Sequence, residues 1–324
     1  MLRKLLLTFG ALLLVIVVGG GIYVASRQNL KFDPPYPHVV ASTDSAIVER
    51  GRYIVRTVAP RASCHGDPKQ RAAYDKGEDT PLVGAYDFAI PPGKFYTRNL
   101  TADKETGLGN VSDSAIARAL RQGVGHDGRA LLPFMELQEL SDDDLQAVVS
   151  YLRTQPAVSN QVSPHDFNLL GKVVKATALS HPVGPASTPF VKSPRGASVE
   201  AGRYLVEDVA LCSSCRTERN QMTGAFTGPR FGGTKNFLEE SDPTHSWAPP
   251  NITSDKETGR LVIITEDQFV ARFHQGRVLP GSPMPWTAYS HLQEDDLRAI
   301  YMYLKSVPSV RRDNGPVMLT VQKS

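Results

Sequence analysis

The chain is poor in cysteine, with only Cys64, Cys212 and Cys215 among 324 residues. A disulfide framework needs more, so cross-links are not what holds these domains together. It has no excess of one charge: 36 Lys and Arg stand against 33 Asp and Glu, a formal net charge of +3. No Lys/Arg cluster or RNA-binding signature adds to that mild balance, which argues against nucleic acid as a partner. After residue 27 no further run is long and apolar enough to span a bilayer. No Ser-His-Asp order, glycine-rich phosphate loop or paired-carboxylate pattern stands out, and no convincing strand alternation. With 41% hydrophobic and 21% charged residues, the composition excludes disorder and collagen-like fibres. At roughly 150 residues per domain, the length suggests two domains. The 24 prolines imply long irregular connections.

Leu5 to Ala25 is an uncharged stretch rich in Leu, Val, Ile and Gly. As a helix it spans about 31 Å, the thickness of a bilayer core. Arg3 and Lys4 precede it, which favours a cytoplasmic N-terminus and an exported body. A cleaved signal peptide is the competing reading. The stretch exceeds the usual h-region, however, and no clean A-x-A site follows. The expectation is a single anchor over residues 1–27, in a bacterial inner membrane, carrying a periplasmic body.

An internal repeat organises that body. Gly51-Arg52-Tyr53-Ile54-Val55 returns as Gly202-Arg203-Tyr204-Leu205-Val206, 202 − 51 = 151 residues later. Asn99 to Gly107 returns as Asn251 to Gly259, and Leu140 to Pro156 as Leu292 to Pro308, each offset by 152. Two copies at so long a period are a duplicated domain, not a solenoid. The units are 45–156 and 198–309, with a linker at 28–44, a proline-rich linker at 157–197 and a tail at 310–324.

Each unit opens and closes on a helical pattern. Ile47, Gly51, Ile54, Val55 and Val58 share one face, as do Gly202, Leu205, Val206 and Val209. A glycine on that face lets another helix cross closely. Ser141 followed by three aspartates reads as a cap with acid in the first turn. Leu145, Val148, Val149 and Leu152 then form an apolar stripe, matched by Leu297, Ile300, Tyr301 and Leu304. Each unit is therefore expected to be a small all-α domain with long loops.

The chemistry follows the opening helices. One unit reads Arg61-Ala62-Ser63-Cys64-His65 and the other Cys212-Ser213-Ser214-Cys215-Arg216. The 151-residue offset sets Arg61 opposite Cys212 and His65 opposite Arg216. Neither copy contains C-x-x-C-H, but overlaid they compose it, and that is the c-type haem attachment motif. Met135 and Met284 lie at matched loop positions before the closing helices. A thioether opposite histidine is the axial pair of cytochromes c.

On these residues the chain resembles a membrane-anchored di-haem cytochrome c with two tandem class I cytochrome c domains. The resemblance covers about residues 45–309. It implies two c-type haems, with iron held by His65 and Met135 in unit one and with Met284 as the distal ligand in unit two. It implies a one-electron carrier rather than an enzyme, since both axial positions would be filled. Its implied partners are an exported dehydrogenase or quinol-oxidising complex and a terminal acceptor.

Two residues depart from the pattern. Arg61 cannot form a thioether, though Cys64, His65 and Met135 leave one thioether and both ligands in place. Arg216 stays protonated and offers no lone pair to iron. It also sets a charge against the porphyrin face. Cys212 and Cys215 remain, but unit two is expected to be unloaded, and unit one unloaded or poorly loaded. Haem fills much of so small a core, so an unloaded unit two is expected to be partly unfolded. The expectation is a derived carrier whose electron transfer is lost or severely impaired. A residual carrier with a single-thioether haem at Cys64, His65 and Met135, a site of unusual ligation, and a haem-free docking or scaffold protein are the alternatives. A redox dithiol or half a zinc site at Cys212 and Cys215 lacks its complementary motif. His126, His274 and His291 read as loop or surface histidines.

Overall fold

The structure is a computed structural model that describes all residues except 61, 135, 221–224, 236, 239–244 and 321–324, and the backbone alone at 62, 75, 237–238 and 319–320. It opens with α1 (Leu2–Arg27), long and apolar enough to cross a membrane and with no residue buried. Two similar successions of elements follow. The first holds α2 (Ser45–Tyr53), α3 (Ala62–His65), α4 (Arg71–Asp75), a hairpin of β1 (Asp87–Ile90) and β2 (Gly93–Tyr96), α5 (Asp113–Gln122) and α6 (Asp142–Arg153). Then come β3 (Asp166–Phe167) and α7 (Leu169–Ala176). The second holds α8 (Val199–Arg203), α9 (Ser213–Arg216), β4 (Phe237–Leu238), β5 (His245–Trp247), α10 (Glu266–His274), α11 (Trp286–Tyr289), α12 (Glu294–Ser306) and β6 (Met318–Thr320).

The helical pattern of the sequence is largely realised. Ser141 caps α6 by accepting from the Asp144 amide, and Leu145, Val148, Val149 and Leu152 are buried as expected. Leu297, Ile300 and Leu304 of α12 do the same, while Tyr301 is partly exposed. The opening helices cross the closing ones, α2 on α6 and α8 on α12. Glycine makes both crossings. A Cβ on Gly51 would stand 1.9 Å from the Ala147 carbonyl oxygen, and one on Gly202 would stand 1.9 Å from that of Ala299.

Two features differ from the expectation. Neither opening helix stays α-helical: α2 passes into a π-helical turn over Ile54–Val58 and α8 into one over Tyr204–Val209. The wider turn buries Arg56 and Thr57 along with Ile54, Val55 and Val58. Such turns recur beside functional sites. The chain is also not wholly α. It carries two three-stranded antiparallel sheets, β1-β2-β3 and β4-β5-β6. Their strands run two to four residues, too short for alternation to register. The third strand of each comes from the segment after the closing helix, which returns to its own unit.

The repeated Asn–Thr blocks anchor those returns. Asn99 donates to Thr106 Oγ1 and the Val158 carbonyl at 3.0 and 2.9 Å. Asn251 donates to Thr258 Oγ1 at 3.0 Å and to the Val310 carbonyl at 2.5 Å. Both asparagines are buried, so they position the turn and the chain after the last helix. Asp103 and Asp255 accept from Thr106 and Thr258 within the turn.

Candidate functional site

Each π-helical turn delivers the chain to a one-turn helix that carries the motif. The entries differ, because Leu211 turns at φ 55° where unit one has Pro60, whose ring fixes φ near −65°. The motif helices, Ala62–His65 and Ser213–Arg216, then end alike. The carbonyl of His65 accepts from the Gly84 amide at 2.8 Å, and the carbonyl of Arg216 from the Gly233 amide at 2.8 Å. His65 and Arg216 therefore hold equivalent backbone stations.

In unit one His65 is buried, and its Nδ1 lies 2.9 Å from the Arg98 carbonyl oxygen. A carbonyl only accepts, so Nδ1 carries the proton and the lone pair belongs to Nε2. This is the outer hydrogen bond that fixes the tautomer and ring plane of metal-ligating histidines. Thr97 Oγ1 donates to the Cys64 carbonyl at 2.8 Å and steadies the same turn. Cys64 is exposed and in no disulfide. Arg61 and Met135 lie outside the described residues.

In unit two the guanidinium Nη2 of Arg216 lies 3.3 Å from Met284 Sδ. The structure thus brings the residue at the histidine position and the expected distal methionine into direct contact. Burial holds Arg216 below its ordinary pKa range, and its buried Nη1 finds no hydrogen-bond partner among the described residues. Beside it, burial pushes the Cys212 thiol up to about 12, so it stays a neutral thiol. Cys215 is exposed. Among the described residues no group of three or more His, Cys, Asp or Glu gathers to hold a metal ion.

Aromatic walls flank both loops, and the sequence reading missed them. Phe88, Phe95, Phe134, His165 and Phe167 form a cluster with centroids 5.1–6.2 Å apart. Burial, with Arg98 and Arg129 nearby, lowers His165 to about 4, so it is neutral. In unit two Phe273 meets Trp286 at 5.6 Å, and Arg272 lies over Trp286 at 3.9 Å. Aromatic spacing alone gives no sign that these residues meet. The Arg98 carbonyl was equally invisible, since a backbone acceptor has no sequence signal. Of the histidines read as bystanders, His274 lies 3.0 Å from the Leu292 carbonyl through Nε2, a structural contact, and His126 and His291 are exposed.

With this geometry established, comparison with known proteins gives the class: the chain is similar to cytochrome c subunits of dehydrogenases and to a diheme cytochrome c. In particular, it is 29% identical over 289 residues to the cytochrome c subunit of alcohol dehydrogenase (quinone) from Gluconobacter oxydans, covering 82% of this chain and 56% of that protein. It is 30% identical over 279 residues to the gluconate 2-dehydrogenase cytochrome c subunit of Pantoea cypripedii, covering 82% and 60%. A diheme cytochrome c-type protein of Cereibacter sphaeroides is 26% identical over 259 residues, covering 77% and 82%. The chain spans less than two thirds of the length of the two dehydrogenase subunits. No family model matches it. The dehydrogenase relatives are the cytochrome c subunits of those proteins.

The donor sets can be tested against a c-type haem. Cys64 and His65 fit it, because one thiol is exposed and the imidazole is oriented with its lone pair on Nε2. Arg216 does not fit. A guanidinium has no lone pair for iron, and here it occupies the approach to the methionine sulfur.

Proposed function

We propose that the chain is a membrane-anchored electron-transfer subunit of tandem cytochrome c architecture, with units at 45–156 and 198–309, that has lost haem at unit two. Electron transfer across both units is then lost or severely impaired. The observation that carries this reading is the 3.3 Å contact of Arg216 Nη2 with Met284 Sδ, which sets a cation where a haem iron would need two uncharged donors. The similarity to cytochrome c subunits supports the origin, and the matched crossings at Gly51 and Gly202 support the duplication. On this reading α1 holds the N-terminus in the cytoplasm and the body on the periplasmic side of the inner membrane, where a dehydrogenase would be the partner.

A second reading is favoured by the bond from His65 to the Arg98 carbonyl. Unit one then keeps a haem through a single thioether at Cys64, with His65 and Met135 on the iron, and remains a one-electron carrier. When bound, such a haem supplies a reversible ferric/ferrous couple; the chain's part is to orient His65 and to bury the ring. Counting covalent haem per chain by haem-stained denaturing gel and reduced-minus-oxidised spectrum separates the readings. None means both units are lost, one supports the carrier at unit one, and two would refute the assignment at unit two.

A further inference from the structure

We propose that helix α7 lies on the surface of the membrane that α1 enters, with Leu169, Leu170 and Val173 turned into the boundary between lipid headgroups and acyl chains. The inference rests on reading α1 as a membrane span. Helix α7 is rigidly placed. Asn168 caps it, accepting from the Gly171 amide at 3.0 Å and donating to the Pro91 carbonyl at 2.8 Å. Gly171 lies against the β1–β2 turn so closely that a Cβ there would stand 2.1 Å from the Pro92 carbonyl oxygen. Helix α7 also packs against β3 and α1, and Lys175 Nζ donates to Asn29 Oδ1 at 3.0 Å. Asn29 lies just beyond Arg27, the last residue of α1. Helix α7 is therefore fixed where the chain leaves the span.

Its outer face is apolar. Leu169 is 78% exposed, Leu170 45% and Val173 37%, whereas Gly171 is buried. At 3.6 residues per turn, Leu169, Val173, Leu170 and Val174 fall within an arc of about 140°. A two-turn helix is far too short to span, but an apolar arc bordered by lysine suits the interface plane. The bordering charge fits as well. Lys172, exposed, borders the arc beside Leu169, and Lys175 lies on the far side, where it reaches Asn29 at the end of α1. Burial is the main cause that holds Lys175 below its ordinary range, and Arg129 and Lys31 lie near enough to add to it. Anionic headgroups attract such a cluster beside a span. The packing of α7 against α1 places this exposed face beside the span, and that identifies the bilayer as its occupant.

The test uses the full chain in vesicles of phosphatidylethanolamine and phosphatidylglycerol, with photoreactive p-benzoylphenylalanine placed singly at Leu170, at Leu12 inside α1, or at Val278, exposed in the second unit. After illumination, mass spectrometry counts lipid adducts. The proposal expects adducts at Leu12 and Leu170, with a yield at Leu170 well above that at Val278. Adducts at Leu12 with no excess at Leu170 over Val278 overturn the placement of α7 and leave the span intact. No adduct at Leu12 overturns the span and the proposal together. Cross-linking from Leu170 to protein in place of lipid overturns it too.

Discussion

The Tyr53 hydroxyl donates to Asp296 Oδ2 at 2.7 Å and accepts from the Gln293 amide at 3.0 Å, so a residue of the first unit serves the N-terminus of the closing helix of the second. The converse contact also exists: Tyr204 donates to Asp144 Oδ2 at 2.9 Å and accepts from the Ser141 amide at 3.1 Å. Both tyrosines sit one residue after Arg52 or Arg203 in the repeated sequence, and both aspartates lie in the first turns of α6 and α12. The two units therefore exchange the same tyrosine cap across their interface. Burial and the facing aspartate push both phenols well above their ordinary range, which keeps them protonated donors.

The exchange is unequal, and that fixes the first prediction. Asp144 is fully buried and also receives both Nε and Nη2 of Arg50 at 2.8 Å and Arg195 Nη2 at 3.0 Å. Tyr204→Phe is expected to cost about 1.5–3 kcal/mol, a hydrogen bond to a charged group. Asp144→Ala should cost about 3–5 kcal/mol, because it breaks an ion pair whose carboxylate is buried and strands the largely covered Arg50 guanidinium. Denaturant midpoints measure both. A loss at Asp144 no larger than that of an exposed pair, below about 1 kcal/mol, would contradict the clasp.

The helix crossings give the second. Gly51→Ala and Gly202→Ala each press a methyl onto a backbone carbonyl of the facing helix, which cannot swing aside as a flexible side chain would. Each should lower stability by about 1–3 kcal/mol or more, the cost of overpacking a close contact. Thermal melts would show the two substitutions lowering Tm, whereas Gly196→Ala in the linker, with nothing within 4 Å of its Cβ, should cost less despite its positive φ.

The third concerns pH. Burial of His165 lowers it to about 4, so the folded state prefers the neutral ring. Its contribution is present above the unfolded value near 6.5 and is lost as pH falls towards 4. Burial raises Asp208 to about 6, opposed by Arg203. The folded state then prefers the protonated acid, and this contribution is present below about pH 4 and lost as pH rises through 6. Unfolding curves between pH 4 and 7 should show His165→Phe losing less stability on acidification than the parent, and Asp208→Asn losing less on alkalinisation. Unchanged slopes in both variants would contradict these environments.

The fourth isolates the guanidinium of unit two. Its Nη1 is buried without a partner among the described residues, and a buried polar group in that state costs about 1–3 kcal/mol. Arg216→Met removes the charge at similar volume and should stabilise the unit. Hydrogen exchange in α8 and α12 should slow relative to the parent, whose second unit is expected to open readily. Protection in the parent as strong as in the variant would show that Arg216 is accommodated without strain.

Much of this was legible in the sequence because it rests on period and repetition. The stripe of α6, the glycine crossings and the station shared by His65 and Arg216 follow from spacing alone. The π-helical turns were not legible, because their apolar residues also satisfy an α-helical pattern until Arg56 and Thr57 are seen to be buried. The small sheets were hidden by strands of two to four residues, the third of which in each sheet lies far along the chain from its partner. The contact of Arg216 with Met284, 68 residues apart, was expected only as the loss of a ligand. Its geometry depends on how the Met284 loop folds back over α9.

The most direct test of the central claim is the number of covalently attached haems per chain, by intact mass, in the parent and in the Arg61→Cys, Arg216→His variant expressed with c-type maturation machinery. The account predicts at most one in the parent and two in the repaired chain. Two haems on the parent, or none gained on repair, would contradict it.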